Sequence, residues 1–239
     1  MNFSIASWAA WSAGLTTREH WLAWASSGER QLIEGDNVPP LASMPLLLKR
    51  RAHILGRMAL ETMYGVAEHD IPIVFCSRYG EMHRAVALLK ELADTDSVSP
   101  QNFCMAVHNA VPSLYTIAKK NNVPVTAISA GPCSAIYGAI EALSLLAQDQ
   151  EMVRLVVANQ VLPDEYQPFA DQQMATYAYT VDLINGQNCS LEYFPENTLN
   201  VKSVTDPDLS FLKFLISDRS IAIIPDKQYA WKLSRGSDG

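Results

Sequence analysis

Hydrophobic and polar positions alternate in blocks along the first third of the chain, and these blocks predict strands and amphipathic helices. The apolar stretch over residues 3–8 predicts a short strand, and a helix capped by Thr17 follows it. Apolar positions three and four residues apart over 46–67 predict one long amphipathic helix, preceded by a polar loop over 29–45. Residues 71–76 are almost wholly apolar, which is typical of a strand buried on both faces.

The alternation of strand and helix patterns continues to residue 158. Pro100 stands directly after Ser99, a placement typical of a helix start. The predicted elements are, in order, a helix over 81–93, a mostly apolar helix over 103–120, a strand over 123–128, a helix over 133–147 and a strand over 155–158. Strands that alternate with helices in this way predict an α/β fold, with a mainly parallel sheet covered by helices on both faces.

The last third of the chain has a different pattern, richer in short β-type stretches. Strands are predicted over 175–183, 189–194, 200–204 and 220–224, with one helix over 209–216. No internal repeat and no clear linker interrupts the sequence. We therefore expect residues 1–239 to form a single domain with a β-richer end.

The composition favours a protein that contacts other proteins rather than nucleic acid. Charged residues make up 18% of the chain and hydrophobic residues 49%, so little polar surface is available to cover the molecule. This balance predicts a large buried contact with another chain, although a large α/β core would explain it as well. The net charge of -7 argues against nucleic-acid binding, which depends on Lys and Arg neutralising phosphates.

The sequence contains no targeting or metal-binding signature. Residues 1–13 lack the basic start of a secretory signal, and no apolar run approaches the roughly 20 residues needed to span a bilayer. We therefore expect a cytoplasmic protein. The four cysteines are widely spaced and form no CxxC pair, so no zinc site, cofactor or disulfide framework is predicted. Cys76 and Cys104 lie in apolar runs, which predicts two buried thiols.

Two stretches in the middle of the chain carry a resemblance to a known family. They read SPQNFCMAVHNAVPSLYTIAKK over 99–120 and SAGPCSAIYGAIEAL over 129–143. Their order resembles the amino-terminal half of a β-ketoacyl synthase of the thiolase fold, in which a helix with the pattern SP..F...V.N precedes the strand that ends at the nucleophilic cysteine. Further agreement comes from Trp21, Gly28, residues 49–51 and residues 74–80, so that the resemblance covers about residues 1–185.

The resemblance places the family's nucleophile at Ser129, or at Ala130 if the match shifts by one residue. Neither residue is a cysteine, and Cys133 is expected about one helical turn later, on the helix itself. A serine in this position needs a base to activate it. The family's two catalytic histidines follow the nucleophile, whereas the five histidines of this sequence precede Ser129: His20, His53, His69, His83 and His108. No catalytic residue is therefore predicted; Ser129 is interpreted as a structural or tunnel-lining residue and Cys133 as a small buried one.

The resemblance also implies where a partner subunit would lie. Family members are dimers whose central strands pair across a two-fold axis. The corresponding strand here is the one over 123–128, so that Val125, Thr126 and Ile128 are expected at the interface, with Ser129 at the end of the strand.

The segment that lines the acyl tunnel in the family corresponds to the predicted helix over 103–114. Its candidate residues are Phe103, Met105, His108 and Asn109. Phe103 and Met105 are two residues apart and cannot share a helical face, so one of them is expected to close the tunnel, Met105 before Phe103.

A ketosynthase-like chain without a catalytic set is typical of a chain length factor. The resemblance implies a non-catalytic subunit that pairs with an active β-ketoacyl synthase, shapes its acyl tunnel and meets an acyl carrier protein through the complex, as in the truncated subunits of aryl polyene biosynthesis. The basic residues over 49–51 are either an ordinary solvated face or a contact for that acidic carrier protein. Two other functions stay open: a stand-alone acyl hydrolase or acyltransferase that uses Cys133 or Ser129, and a homodimeric scaffold without a ligand.

Overall fold

The computed structural model describes residues 1–27, 32, 35–170, 174–195, 205–227 and 229–236. The strands are β1 (Asn2–Trp11), β2 (Ile73–Cys76), β3 (Val125–Ile128), β4 (Met152–Asn159), β5 (Tyr177–Pro195), β6 (Ile221–Asp226) and β7 (Tyr229–Arg235). The helices are α1 (Arg18–Ser26), α2 (Leu46–Lys49), α3 (Ile54–Tyr64), α4 (Met82–Thr95), α5 (Pro100–Cys104), α6 (Ala110–Lys119), α7 (Ser134–Leu146) and α8 (Pro207–Ile216), with short 3-10 turns at Gly131–Cys133 and Asp164–Phe169.

The strands of the described chain form one open, mixed sheet. Its order is β3-β2-β4-β5-β7-β6, and β1 also pairs with β5. Strands β2, β3 and β4 are parallel, whereas β5 is antiparallel to β4, β1 and β7. The prediction of an α/β fold with parallel strands at its centre and a β-richer end is confirmed. Strand β3 lies at one end of the sheet, so its outer edge has no pairing strand within the described part of the chain.

Helices cover both faces of the parallel strands, as the wholly apolar strand patterns predict. Side chains of β2 point alternately to the two faces, because successive residues of a strand do so. Val74 and Cys76 pack in the cluster beneath α7 and α8, whereas Ile73 and Phe75 pack in the cluster beneath α3 and α6. Helix α7 comes especially close to the sheet at Gly138, where an added Cβ would lie 2.1 Å from the Cys76 Sγ. A glycine is therefore required at this position.

The single long helix predicted over 46–67 is wrong, because two helices with different surroundings replace it. Leu46 and Leu47 are exposed on α2, whereas Leu55 and Met58 are fully buried on α3. Residues 50–53 separate the helices, and the Arg51 carbonyl accepts a hydrogen bond from the Arg84 guanidinium of α4 at 2.7 Å. The bond to α4 replaces an intrahelical bond at this carbonyl.

The helix predicted over 103–120 is also interrupted. Ser99 caps α5, as predicted, since its hydroxyl accepts from the Asn102 amide. The chain then leaves the helix at Met105 and re-enters it at Ala110. Pro112 explains the break: its ring would clash with the carbonyl of residue 108 inside a continuous helix, but it is tolerated in the first turn of a new one. Met105 and His108 therefore do not share a helix, and the prediction that placed them on one is wrong.

The carboxyl-terminal third differs from prediction in its connections. The strands predicted over 175–183 and 189–194 are parts of β5, which pairs with β4 and β1 along its first half and with β7 along its second. Strand β7 was not predicted, and the strand predicted over 200–204 lies outside the described residues. Cys76 is buried as expected, whereas Cys104 is exposed because it ends the short helix α5 at the surface.

Candidate functional site

The carboxyl ends of the three parallel strands bring three loops together. Ligand sites of open α/β sheets lie outside these strand ends. Ser129 follows β3, and its hydroxyl donates a hydrogen bond to the Arg78 carbonyl of the loop after β2 at 2.8 Å. The Arg78 amide in turn donates to the side-chain oxygen of Asn159, the last residue of β4, at 2.9 Å. The ends of the three parallel strands are therefore joined through hydrogen bonds to main-chain groups of Arg78.

Ser129 lies at the surface but has no activating base among its hydrogen-bond partners in the described residues. Its hydroxyl donates a hydrogen bond to the Arg78 carbonyl, and a carbonyl oxygen is too weak a base to remove the hydroxyl proton. His108, the last histidine before Ser129, bonds instead to the Ser77 carbonyl at 3.2 Å. Ser129 thus lies directly after β3, and the described groups that it bonds to do not activate a serine.

Cys133 was expected on the helix itself, but it lies just before the first residue of α7. It ends the 3-10 turn Gly131–Cys133 and occupies the N-cap position of α7. The thiol is buried, and its sulfur lies 3.6 Å from the Pro225 carbonyl of β6. Burial, together with the carboxylates of Asp226 and Asp208, raises the pKa of the Cys133 thiol far above its usual range. A helix N-terminus alone would lower it, so burial and negative charge dominate here and keep the thiol protonated.

The backbone amides at the start of α7 are used by the chain itself. The carboxylate of Asp208, on α8, accepts a hydrogen bond from the Ala135 amide at 2.8 Å. The Ala130 amide donates to the Ser134 hydroxyl at 3.0 Å. Such amides stabilise a bound anion or a developing oxyanion in enzymes that use a helix N-terminus. The Asp208 side chain therefore takes up one of the amides in the first turn of α7.

Asp206 and Asp208 fasten α8 to the strand ends. Asp206 caps α8 through the Leu209 amide at 3.0 Å and accepts a bond from the Tyr177 hydroxyl at 3.0 Å. The side-chain nitrogen of Asn159, Nδ2, donates to both the Tyr177 hydroxyl and the Asp208 carboxyl group, each at 3.0 Å. Burial raises the pKa of both carboxyl groups. The sequence Asp206–Pro207 is a recognisable helix start, but no local pattern indicates that the following aspartate reaches α7.

The two last strands cover this region from the other side. The Tyr137 hydroxyl of α7 donates to Asp226 of β6 at 2.7 Å, and the Trp231 indole donates to the same carboxylate at 3.4 Å. The Tyr137 and Trp231 rings meet edge to face, with centroids 5.9 Å apart. The hydrogen bond to Asp226, followed by burial, raises the pKa of Tyr137 to about 12. Strand β6 thus contacts the Cys133 thiol, and β6 and β7 together pack against Tyr137 of α7.

The residues predicted for a subunit interface lie along the free edge of the sheet. All four residues of β3, including Val125, Thr126 and Ile128, are half-buried, whereas every residue of the neighbouring β2 is buried. The main chain of β3 pairs with β2 on one side only in the described chain. An edge strand of this kind exposes unpaired amide and carbonyl groups that a further strand can bind.

The residues predicted for the tunnel segment point in different directions. Phe103 is 62% exposed, whereas Met105 is half-buried and packs against the cluster beneath α3 and α6. Asn109 is exposed at the N-cap of α6 and its side chain makes no capping bond. The structure therefore does not gather the four candidates into one wall, and Phe103 is the exposed apolar residue among them.

A family model for the β-ketoacyl synthase N-terminal domain matches residues 21–234. The chain belongs to the β-ketoacyl synthase family. The resemblance to the amino-terminal half of the thiolase fold is confirmed, and the match continues beyond residue 185 through most of β7. No curated protein matches the sequence.

Solved ketosynthase complexes are similar to this chain. A chain from the complex of the ketosynthase ApeO with its chain length factor ApeC, from Xenorhabdus doucetiae, is 25% identical, with a TM-score of 0.88 over 98% of this chain and 100% of that one. A chain of the ishigamide ketosynthase/chain length factor is 14% identical, with a TM-score of 0.64 over 82% of this chain and 68% of that one. The second match shows the fold alone.

A third solved structure shares the fold with a similar score. It is the type II polyketide synthase complex AntDE:AntF, an acyl-carrier protein with its ketosynthase bound to the hexaketide; it is 9% identical, with a TM-score of 0.64 over 82% of this chain and 71% of that one.

Among the residues that the structure describes, no helix is both long and apolar enough to cross a membrane. The same residues include no group of three or more His, Cys, Asp or Glu side chains placed to hold a metal ion.

Proposed function

We propose that this chain is a non-catalytic, chain length factor-like subunit that pairs with an active β-ketoacyl synthase and shapes its acyl tunnel. One observation carries the proposal: at the start of α7 the Asp208 side chain accepts the Ala135 amide, and the Cys133 thiol is buried and protonated. Condensation needs an activated nucleophile and donors aimed at a developing oxyanion. In this chain the corresponding groups serve internal bonds. The likeness to a chain of a ketosynthase–chain length factor complex supports the pairing.

The partner subunit is proposed to bind along β3. In the family, central strands pair across a two-fold axis, and β3 has the free edge and half-buried side chains that such pairing requires. A partner strand would satisfy the outer amide and carbonyl groups of β3, and the two sheets would become continuous. Residues 1–239 would then act as one β-ketoacyl synthase-like domain within a heterodimer.

The carrier protein is proposed to reach the complex near α2. Arg50 and Arg51 are exposed there next to Leu46 and Leu47, which are exposed apolar residues. A basic surface with a small apolar patch complements an acidic amphipathic helix, such as one of an acyl carrier protein. The α2–α3 junction also adjoins the first turn of α4, the helix that follows β2, because the Arg84 guanidinium binds the Arg51 carbonyl. A carrier bound here would lie at the end of the sheet where the candidate site is found.

Co-expression with the ketosynthase encoded beside its gene tests the proposed pairing. Size-exclusion chromatography with light scattering should show a stable complex of one copy of each chain. If the isolated chain is a well-behaved monomer that does not bind the ketosynthase, the proposal is wrong. Hydrolysis of acyl thioesters by the isolated chain would favour the stand-alone hydrolase, and a stable homodimer that ignores the ketosynthase would favour the scaffold.

We predict that Ser129→Ala and Cys133→Ala leave the turnover of the complex within a few-fold of wild type. Neither side chain has an activating base among its described contacts, so neither supplies a nucleophile. Turnover is measured as the rate of carrier-bound product formation by the purified complex. A loss on the order of 100-fold or more, the size expected on removing a nucleophile or oxyanion donor, would contradict the non-catalytic role.

We also predict that Phe103→Ala lets the complex make longer acyl products at a nearly unchanged rate. The Phe103 ring projects from the chain, so it is the candidate best placed to close a tunnel in the partner, ahead of Met105, which packs in its own core. The measurement is the product-length distribution by mass spectrometry. Phe169→Ala is the matched control, because Phe169 is also an exposed phenylalanine, at 75%, and lies on a different surface turn. Unchanged product lengths for both Phe103→Ala and Met105→Ala would remove this segment from the tunnel.

A further inference from the structure

His108 connects the non-helical segment 105–109 to the turn that follows β2. Its Nε2 lies 3.2 Å from the Ser77 carbonyl, which can only accept, so the imidazole donates this bond. Ser77 is fully buried, and its hydroxyl accepts the Gly80 amide at 3.0 Å. The histidine therefore binds a turn whose own conformation is fixed by an internal hydrogen bond.

The fit between His108 and Gly80 is closer than an ordinary packing contact. Gly80 has a φ of +60°, a conformation that side chains rarely adopt. A Cβ built on Gly80 would lie 2.8 Å from the Cε1 of His108 and 3.0 Å from each ring nitrogen. The imidazole therefore rests directly on the glycine, in space that any other residue at position 80 would occupy. Two features, a hydrogen bond and a shaped contact, hold the ring in one place.

These contacts decide how the segment presents its apolar residues. Met105 packs against the cluster beneath α3 and α6 at one end, and His108 is held by the turn at the other. Between and beside these two anchors, Val107 is 51% exposed and Phe103 is 62% exposed. Backbone hydrogen bonds from the amides of Met105, Ala106 and Ala110 hold the two ends of the segment, and the side-chain anchors add to them.

We propose that His108 is a positioning residue that fixes segment 105–109 on the β2–α4 turn, so that Phe103 and Val107 are pre-arranged for contact with the ketosynthase subunit. This role rests on the proposed function, since it requires that a partner binds here. A segment that is already ordered loses less conformational freedom on binding than a loose one. Removing the anchor should therefore weaken association, although His108 itself need not touch the partner.

Two measurements on His108→Ala test the proposal, with His83→Ala as the matched control. The His83 imidazole also lies within hydrogen-bond distance of one backbone carbonyl, that of Val161, at 2.8 Å, but on α4 away from the segment. In the isolated chain, hydrogen exchange of the amides over 105–110 should become about tenfold faster in His108→Ala and stay unchanged in His83→Ala. Binding to the co-expressed ketosynthase should weaken by about tenfold in His108→Ala alone. His108→Gln, which keeps a donor for the Ser77 carbonyl, should restore part of both.

The outcomes separate this proposal from the proposed function. Unchanged exchange over 105–110 in His108→Ala, or equal acceleration in His83→Ala, overturns the positioning role. Faster exchange with unchanged affinity overturns its link to the partner. If the wild-type chain does not bind the ketosynthase at all, the proposed function fails whatever the exchange rates show. Should His108→Ala not fold, Gly80→Ala replaces it: the new methyl would displace the imidazole, and unchanged exchange in that variant overturns the proposal.

Discussion

Replacing Thr126 with lysine is expected to abolish binding to the ketosynthase while the chain itself stays folded. Thr126 lies in the middle of β3 and is only half-buried, so the lysine ammonium can reach water in the isolated chain. In the complex the partner strand would cover this edge and leave an uncompensated buried charge. Such a charge costs about 3–5 kcal/mol, which weakens a dissociation constant by roughly 100- to 4,000-fold. Titration calorimetry on purified subunits provides the measurement.

Two variants control for effects on folding and on net charge. Thr16→Lys adds the same charge at an exposed threonine after β1, which pairs with β5 well away from the β3 edge, and should bind normally. Thr126→Val keeps the shape of the side chain without a charge and should also bind. Wild-type affinity in a folded Thr126→Lys variant would exclude β3 from the interface.

The strands and their surroundings are the part of the fold that the sequence predicts best. Stretches such as Ile73–Cys76 are apolar at every position, and only a strand covered on both faces by helices buries all of them. The same composition does not distinguish a central strand from an edge strand. Val125–Ile128 reads much like β2, yet it lies at the end of the sheet with half-buried side chains. Pairing is decided by the whole sheet, which local patterns do not contain.

The predicted helix boundaries were wrong where a single residue outweighs the apolar pattern. The apolar positions over 103–120 indicate a single helix, but Pro112 cannot lie in its interior, and the chain is non-helical between Cys104 and Ala110. Strand β7 was missed although Tyr229, Trp231 and Leu233 alternate with smaller or polar residues, which is a signal for a strand. Both errors could have been avoided from the sequence.

The candidate site contains long-range contacts that no local sequence pattern reveals. The sequence itself shows that no histidine follows Ser129. The bond between Asp208 and the Ala135 amide joins residues 73 positions apart. The contact between Cys133 and the Pro225 carbonyl spans 92 positions. These long-range contacts come from the β-richer end of the chain, whose residues carry no recognisable catalytic motif.

A buried ion pair joins the middle of the sheet to the helices on one face. The guanidinium of Arg154, on β4, binds the Asp182 carboxylate of β5 through two hydrogen bonds, at 2.8 and 2.9 Å. It also donates to the Tyr115 hydroxyl of α6 at 3.0 Å and to the Ala67 carbonyl at 2.7 Å. Ser7 of β1 donates to the same carboxylate at 2.8 Å. The pair therefore connects three strands and the helix that follows segment 105–109.

Arg154→Ala is expected to lower the free energy of unfolding by about 3–5 kcal/mol, because it leaves the Asp182 carboxylate buried without its cation. That loss is a large share of the roughly 5–15 kcal/mol that stabilises a typical domain. Urea denaturation followed by circular dichroism measures it. Lys90→Ala, which breaks the exposed pair between Lys90 and Glu165, is the matched control and should change stability little. The double variant Arg154→Met/Asp182→Val should recover part of the loss, since it removes both charges together but leaves the Tyr115 hydroxyl and the Ala67 carbonyl without the guanidinium. A loss below about 1 kcal/mol in Arg154→Ala would mean that water reaches Asp182 and that the pair does not hold β4, β5 and α6 together.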